Sequence, residues 1–289
     1  MSSRPRVGVI GVGAMGMGVA KALLARGFAV TVRDIDPARE AEAQGAGAAV
    51  APSAEDLCTA VDVAVTLVVD ADQTRAVTRG TPPVFLMCST IAPSDTEEIA
   101  RGLAARGVAL LDAPISGGPA RAHAGTLSIM AGGTDAAYAA CGPVLAAIGA
   151  RIFRVGAKPG DGSRMKVVNN MLAAANLAAG CEAMAMAALL GLDLRQVAEV
   201  VDASSGASWM FSDRMPRALD GDYAPRAASR VLLKDVGLFV HEARRLGLTA
   251  PMAECAREIF HDTVARGFGE EDDAAVLKRY AAAWNARIE

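Results

Sequence analysis

Lys166 and Asn170 stand four residues apart near the start of an Ala-, Met- and Leu-rich stretch, Gly160 to Gly191, with few charged side chains. In a helix, positions four apart share a face, so an amine and an amide would project together. Two readings of the lysine stay open at this level. Its aliphatic stem can carry the ammonium out to water from the first helical turns. In a dry site the cation instead loses stability, its pKa falls, and the amine can exchange a proton with a hydroxyl.

A second constellation lies at the other end of the chain. The apolar run RVGVI (6–10) leads into Gly11-Val12-Gly13-Ala14-Met15-Gly16, a helical pattern through Arg26, and a second apolar run, FAVTVRD, that ends in Asp34. Strand, glycines, helix, strand and terminal acid in this register are the fingerprint of a dinucleotide site. Gly11 permits the tight turn, Gly13 lets the backbone approach a pyrophosphate, and Gly16 lets helix and strand pack closely. The helix N-terminus then faces the phosphates. Asp34 is expected to accept hydrogen bonds from the adenosine ribose, and its charge would repel a 2′-phosphate. NAD is therefore the expected cofactor and NADP the alternative. Arg33, its neighbour in the strand, is expected on the opposite face. Asp34 could instead cap the helix starting at Pro37, but Asp36 is better placed for that.

Two further segments follow apolar runs, where ligands gather in open α/β sheets: Cys88-Ser89-Thr90, and Asp112 to Pro119 with Ser116-Gly117-Gly118 inside it. Ser116 with the two glycines can form a small concavity of N–H groups and a hydroxyl suited to a carboxylate. A plain turn uses the same residue types. Lys234, among the apolar positions Val231, Leu232, Val236, Phe239 and Val240 of SRVLLKDVGLFVHEARRLG, either faces solvent or reaches toward the cofactor.

These residues need elements to hold them. Apolar runs at 61–69, 84–87, 108–111, 126–133 and 151–156 alternate with helical patterns near 53–59, 71–79, 93–106 and 135–148, which predicts an α/β, doubly wound parallel sheet of Rossmann type. After Gly191 the pattern is helical, with breaks around 203–208, 216–229 and 247–251. The expected organisation is a dinucleotide-binding domain over 1–160, a long interdomain helix over 161–191 and an all-α domain over 192–289. The long helix would be about 40 Å at 1.5 Å per residue, and its apolar girth predicts burial between other elements. A membrane span is disfavoured by Asn169, Asn170, Asn176 and Glu182 within it. The acidic cluster in GFGEEDDAAVLKRY (267–280) is read as capping the last helix.

With 289 residues, a net charge of −3 and no Lys/Arg block, the chain is expected to bind small molecules, with neither nucleic acid nor a membrane as partner. Five scattered cysteines in apolar runs and an N-terminus without an apolar leader pattern suggest reduced thiols and a cytoplasmic location. The three histidines are far apart and no CxxC occurs, so no metal site is expected.

GVGAMGMGVA (11–20), CSTIAP (88–93), DAPISGG (112–118), GDGSRMKVVNN (160–170) and LLKDVGL (232–238), in this order, resemble the β-hydroxyacid dehydrogenase family over essentially the whole chain. That family includes 3-hydroxyisobutyrate dehydrogenase, tartronate semialdehyde reductase and the nucleotide domain of 6-phosphogluconate dehydrogenase. The resemblance implies that Lys166 is the catalytic lysine, that Asn170 positions substrate, and that Ser116, Gly117 and Gly118 hold its carboxylate. It also implies that Thr90 and Lys234 border the nicotinamide, that the substrate is a small hydroxy acid, and that the chain forms a homodimer or homotetramer. Residues 204–228 and 267–278 are most similar to the branch containing L-threonate dehydrogenase, while Asp70 stands where the family commonly carries Asn or Pro.

Overall fold

The computed structural model describes residues 4–288. Its first half alternates strands and helices as the periodicity predicts. In order these are β1 (Val7–Ile10), α1 (Ala14–Ala25), β2 (Val30–Arg33), α2 (Pro37–Gly45), β3 (Ala49–Val50), α3 (Ala54–Ala60), β4 (Val63–Thr66), α4 (Ala71–Val77), β5 (Val84–Met87), α5 (Pro93–Ala104) and β6 (Ala109–Asp112). There follow β7 (Ile115–Ser116), α6 (Gly118–Ala124), β8 (Leu127–Gly132), α7 (Asp135–Ile148) and β9 (Gly149–Gly156).

The strands form one sheet in the order β3-β2-β1-β4-β5-β6-β8-β7, with β9 paired to β8. From β3 to β6 every pairing is parallel, the outcome of crossovers through helices. β8 departs from the all-parallel expectation: it runs antiparallel to β6 and β7 and parallel to β9. The reason is the short path through β7 and α6, which reverses the chain before it rejoins the sheet. Alternate strand residues feed two cores. Val84 and Leu86 pack in the layer containing Met17 and Leu23 of α1, whereas Phe85 and Met87 pack in the layer containing Leu57 of α3 and Leu103 of α5. Asp70 caps α4, its Oδ1 accepting the Gln73 N–H at 2.8 Å, which accounts for an acid at that position.

The rest is helical: α8 (Asp161–Leu189), α9 (Leu194–Asp202), α10 (Trp209–Leu219), α11 (Ser229–Arg245), α12 (Pro251–Thr263) and α13 (Val276–Trp284). The chain divides into two compact units, one ending at Lys166 and the other starting at Val167, so the division falls inside α8, one turn and a half from its start. The helical unit has its own core, in which Leu177, Cys181 and Met184 of α8 meet Phe211 and Met215 of α10, Val236 of α11 and Phe260 of α12.

Two further expectations need correction. The long helix is not covered all round within this chain: Met165, Val168, Leu172, Met186 and Leu189 are 44–54% exposed. By length and composition α8 could cross a membrane, with mean hydropathy 1.5 over its most apolar stretch, but Glu182 on it accepts a 2.7 Å hydrogen bond from the Tyr280 hydroxyl. The acids before α13 do more than cap. Asp272 caps the short turn Asp273–Ala275, yet Asp272 and Asp273 are 0% and 2% exposed and engage Arg214 and Arg217 of α10.

Candidate functional site

The glycine loop is shaped by close backbone approaches. Gly11 has φ +87°, in the left-handed region, and a Cβ there would lie 2.7 Å from the Leu67 carbonyl oxygen. A Cβ on Gly16 would lie 1.9 Å from the Gly11 carbonyl oxygen, so only glycine lets α1 start this close to β1. The N-terminus of α1 has neither a side-chain cap nor an acid in its first turn. Its orphan N–H groups and dipole thus suit a pyrophosphate.

Asp34 follows β2 and turns back to this loop: Oδ2 accepts the Val12 N–H at 2.7 Å and Oδ1 the Asp36 N–H at 2.9 Å. The remaining lone pairs on both oxygens can still accept from ribose hydroxyls. Arg33 is held by Glu40 at 2.7 Å, and the same Glu40 oxygen accepts the Asp34 N–H at 3.0 Å. Asp36 caps α2 through the Ala38 N–H, as the spacing predicts. Arg39 is a residue that sequence reasoning passed over. A Cβ on Gly13 would lie 2.9 Å from its Nη1, so this guanidinium overlies the glycine loop while pairing with Asp36 at 3.4 Å. These residues fit a dinucleotide.

Thr90 is half-buried on the loop between β5 and α5, where the neighbouring Ser89 Oγ accepts the Val68 N–H at 3.1 Å. Ser116 ends β7, opposite Ser128 of β8. Gly117 and Gly118 have φ of +132° and +72° and open α6, and a Cβ on Gly117 would lie 2.6 Å from Arg121 Cδ. Two successive left-handed residues explain the glycine pair.

Lys166 does not run out to water. It is 7% exposed, and its Nζ donates to the Ile115 carbonyl at 2.8 Å, directly before Ser116. One turn further along α8, Asn170 is 8% exposed and donates through Nδ2 to Asp235 Oδ2 at 2.7 Å, while its Oδ1 accepts from Asn169 Nδ2 at 3.0 Å. Lys234 pairs with the other Asp235 oxygen at 2.6 Å. Asp235 therefore orients both the Asn170 amide and the Lys234 amine. It was missed in the sequence, although the signal was present: Asp235 sits on the stripe of α11 that buries Leu232, Val236 and Val240.

Four of the cysteines are buried, and burial pushes their thiols up, Cys58 to about 11 and Cys141 to about 12, so none of the four offers a thiolate. Among the described residues no group of three His, Cys, Asp or Glu side chains could hold a metal ion.

The family model for the NAD binding domain of 6-phosphogluconate dehydrogenase matches residues 6–156, and that for the NAD-binding domain of NADP-dependent 3-hydroxyisobutyrate dehydrogenase matches residues 160–280. The chain is 40% identical over 281 residues to an L-threonate dehydrogenase of Cupriavidus necator, covering 94% of this chain and 95% of that one. It is 33% identical over 270 residues to a 3-hydroxyisobutyrate dehydrogenase of Pseudomonas aeruginosa, covering 88% and 90%. A crystal structure of a 3-hydroxyisobutyrate dehydrogenase from Salmonella typhimurium superposes with a TM-score of 0.88 at 39% identity, covering 95% of this chain and 99% of that one. With both halves matched in order, the chain belongs to the β-hydroxyacid dehydrogenase family, the NAD(P)-dependent oxidoreductases of hydroxy acids.

Proposed function

We propose that this enzyme oxidises L-threonate at its 2-hydroxyl with NAD⁺. The observation that carries the reading is the buried Lys166 amine on the Ile115 carbonyl, directly before Ser116-Gly117-Gly118. That arrangement supports a proton-handling amine beside a loop suited to a carboxylate, the two needs of a 2-hydroxy acid. The Ser116 hydroxyl and the Gly117 and Gly118 backbone anchor the carboxylate, and Lys166 takes the hydroxyl proton as the carbonyl forms. Asn170, on the same face of α8, positions the substrate and is itself held by Asp235.

Gly11, Val12, Gly13, Ala14, Met15 and Gly16 would hold the pyrophosphate of the cofactor and Asp34 its ribose, and Thr90 and Lys234 are the residues proposed for the nicotinamide. When bound, the cofactor supplies the hydride acceptor. Asp34 favours NAD over NADP through its charge, and Glu40 neutralises the neighbouring Arg33. The similarity to an L-threonate dehydrogenase supports this substrate, while the similarity to 3-hydroxyisobutyrate dehydrogenases sustains a second reading with that acid or tartronate semialdehyde.

The exposed apolar face of α8, from Met165 to Leu189, is assigned to self-association as a homodimer or homotetramer. The unbridged cysteines fit the reducing cytoplasm.

Initial rates with NAD⁺ and NADP⁺ against L-threonate, D-threonate, D-glycerate, 3-hydroxyisobutyrate and 3-hydroxypropionate test the reading. Preference for L-threonate with NAD⁺ supports it. Preference for 3-hydroxyisobutyrate or D-glycerate replaces the substrate and keeps the lysine mechanism, and preference for NADP⁺ overturns the role of Asp34.

A further inference from the structure

The last residue of β6 carries a carboxylate that neither the cofactor loop nor the substrate loop uses. Asp112 is 0% exposed. Its Oδ2 accepts the N–H groups of Gly160 at 2.9 Å and Ser163 at 2.8 Å, and its Oδ1 accepts the Ser163 hydroxyl at 2.9 Å. The Ser163 hydroxyl lies 2.9 Å from that of Thr96 on α5, which is also buried. The first N–H groups of a helix have no partner within it. Here a side chain 48 residues away does for α8 what a local cap does elsewhere.

The fit leaves little freedom. Gly160 turns the chain into the helix at φ +100°, and a Cβ on Gly162 would lie 2.5 Å from the carbonyl oxygens of both Asp112 and Met130. The first turn of α8 is thus seated on the end of the sheet. Three residues beyond Asp112, the Ile115 carbonyl receives the Lys166 amine one turn further along the same helix. Segment 112–115 therefore grips α8 at two successive turns, and Ser116-Gly117-Gly118 follow directly.

We propose that Asp112 is the positioning residue for Lys166: a buried carboxylate that locks the first turn of α8 onto segment 112–118 and so fixes the amine relative to the substrate loop. Displacements of about 1 Å at a reacting group cost up to about 100-fold in rate, so the lock acts on kcat without touching substrate. What the lock requires is acceptor geometry. An asparagine can fill the same places, its oxygen accepting both amides and its NH₂ donating to the Ser163 hydroxyl.

The inference rests on the reading of Lys166 as the proton-handling residue. Asp112→Ala, Asp112→Asn and Ser163→Ala are compared with the parent enzyme and with Lys166→Ala, using the hydroxy acid turned over fastest and counting active sites by NAD⁺ binding. Asp112→Ala should lower kcat per NAD⁺-binding site by about tenfold or more, with KM and NAD⁺ affinity within about threefold. Asp112→Asn should recover kcat to within about threefold of the parent, and Ser163→Ala should fall between the two. An Asp112→Ala enzyme with kcat per site within about twofold of the parent overturns the proposal, because the contact is then structural only. Equal losses in Asp112→Asn and Asp112→Ala overturn it too, because charge and not position then matters. Should Asp112→Ala fail to fold, an unchanged kcat in Ser163→Ala overturns it. If Lys166→Ala retains turnover, the reading of the lysine fails first.

Discussion

Asp112 in the sheet unit, at the end of β6, and Asp273 in the helical unit, at the start of a short helical turn, are both buried acids, and burial pushes both up to about 6. Their partners differ. Asp112 is met by two backbone N–H groups and a hydroxyl, which oppose the desolvation. Asp273 is met by Arg214, which donates through Nε at 2.6 Å and Nη2 at 3.1 Å. Burial works against the Arg214 charge, but Asp273, Asp272 and Asp213 raise its pKa overall. Removing Asp112 leaves only neutral donors unpaired, so this acid can set the start of α8 with no buried charge left behind. A buried ion pair leaves an uncompensated charge, so Asp273 and Arg214 lock the helical unit.

Breaking the ion pair should give the largest change in stability. Asp273→Ala removes the bidentate partner of Arg214, leaving the buried guanidinium to Asp213 and Asp272, and should cost up to about 3–5 kcal/mol in denaturant unfolding, while kcat per NAD⁺-binding site stays near the parent value. A loss of kcat with little loss of stability would erase the contrast between the two acids. Next comes the seat of α8. Gly162→Ala pushes a methyl group into the backbone of Asp112 and Met130, and overpacking of this kind should cost about 1–3 kcal/mol together with a fall in kcat.

A pH dependence completes the comparison. The Asp112 carboxyl has an ordinary value of 3.8 and a folded value of about 6, so the folded state binds its proton more tightly. Its contribution to stability is full below 3.8 and is lost as pH rises through about 6. Asp112→Asn does not titrate. Its stability relative to the parent should therefore improve as pH rises from about 4 to about 6 and level off above, read from urea midpoints. A flat difference across that range would mean that the donors from Gly160 and Ser163 cancel the burial.

The same two acids mark how far the sequence could be read. Glycine spacing and strand periodicity placed β1, α1, β2 and Asp34 because those signals are local. Lys166 and Asn170 were visible as a pair four apart, but that the lysine is buried rests on Ile115, 51 residues away. Asp112 and Asp235 were hidden for the same reason: each bonds across 48–65 residues, and no periodicity encodes such a partner. Asp235 alone left a trace, as an acid on an apolar stripe. The acids at 272–273 looked like caps because the capping rule is local, whereas their pairing with Arg214 and Arg217 spans the unit. The reversal of β8 was likewise illegible, since a strand's direction depends on its neighbours.

Lys166→Ala, assayed for both turnover and NAD⁺ binding, bears most directly on whether the buried amine does the chemistry. Turnover should fall by about a thousandfold or more while NAD⁺ affinity stays within about twofold. Turnover near the parent rate would show that the proton goes elsewhere, and parallel loss of NAD⁺ binding would assign Lys166 to the cofactor instead.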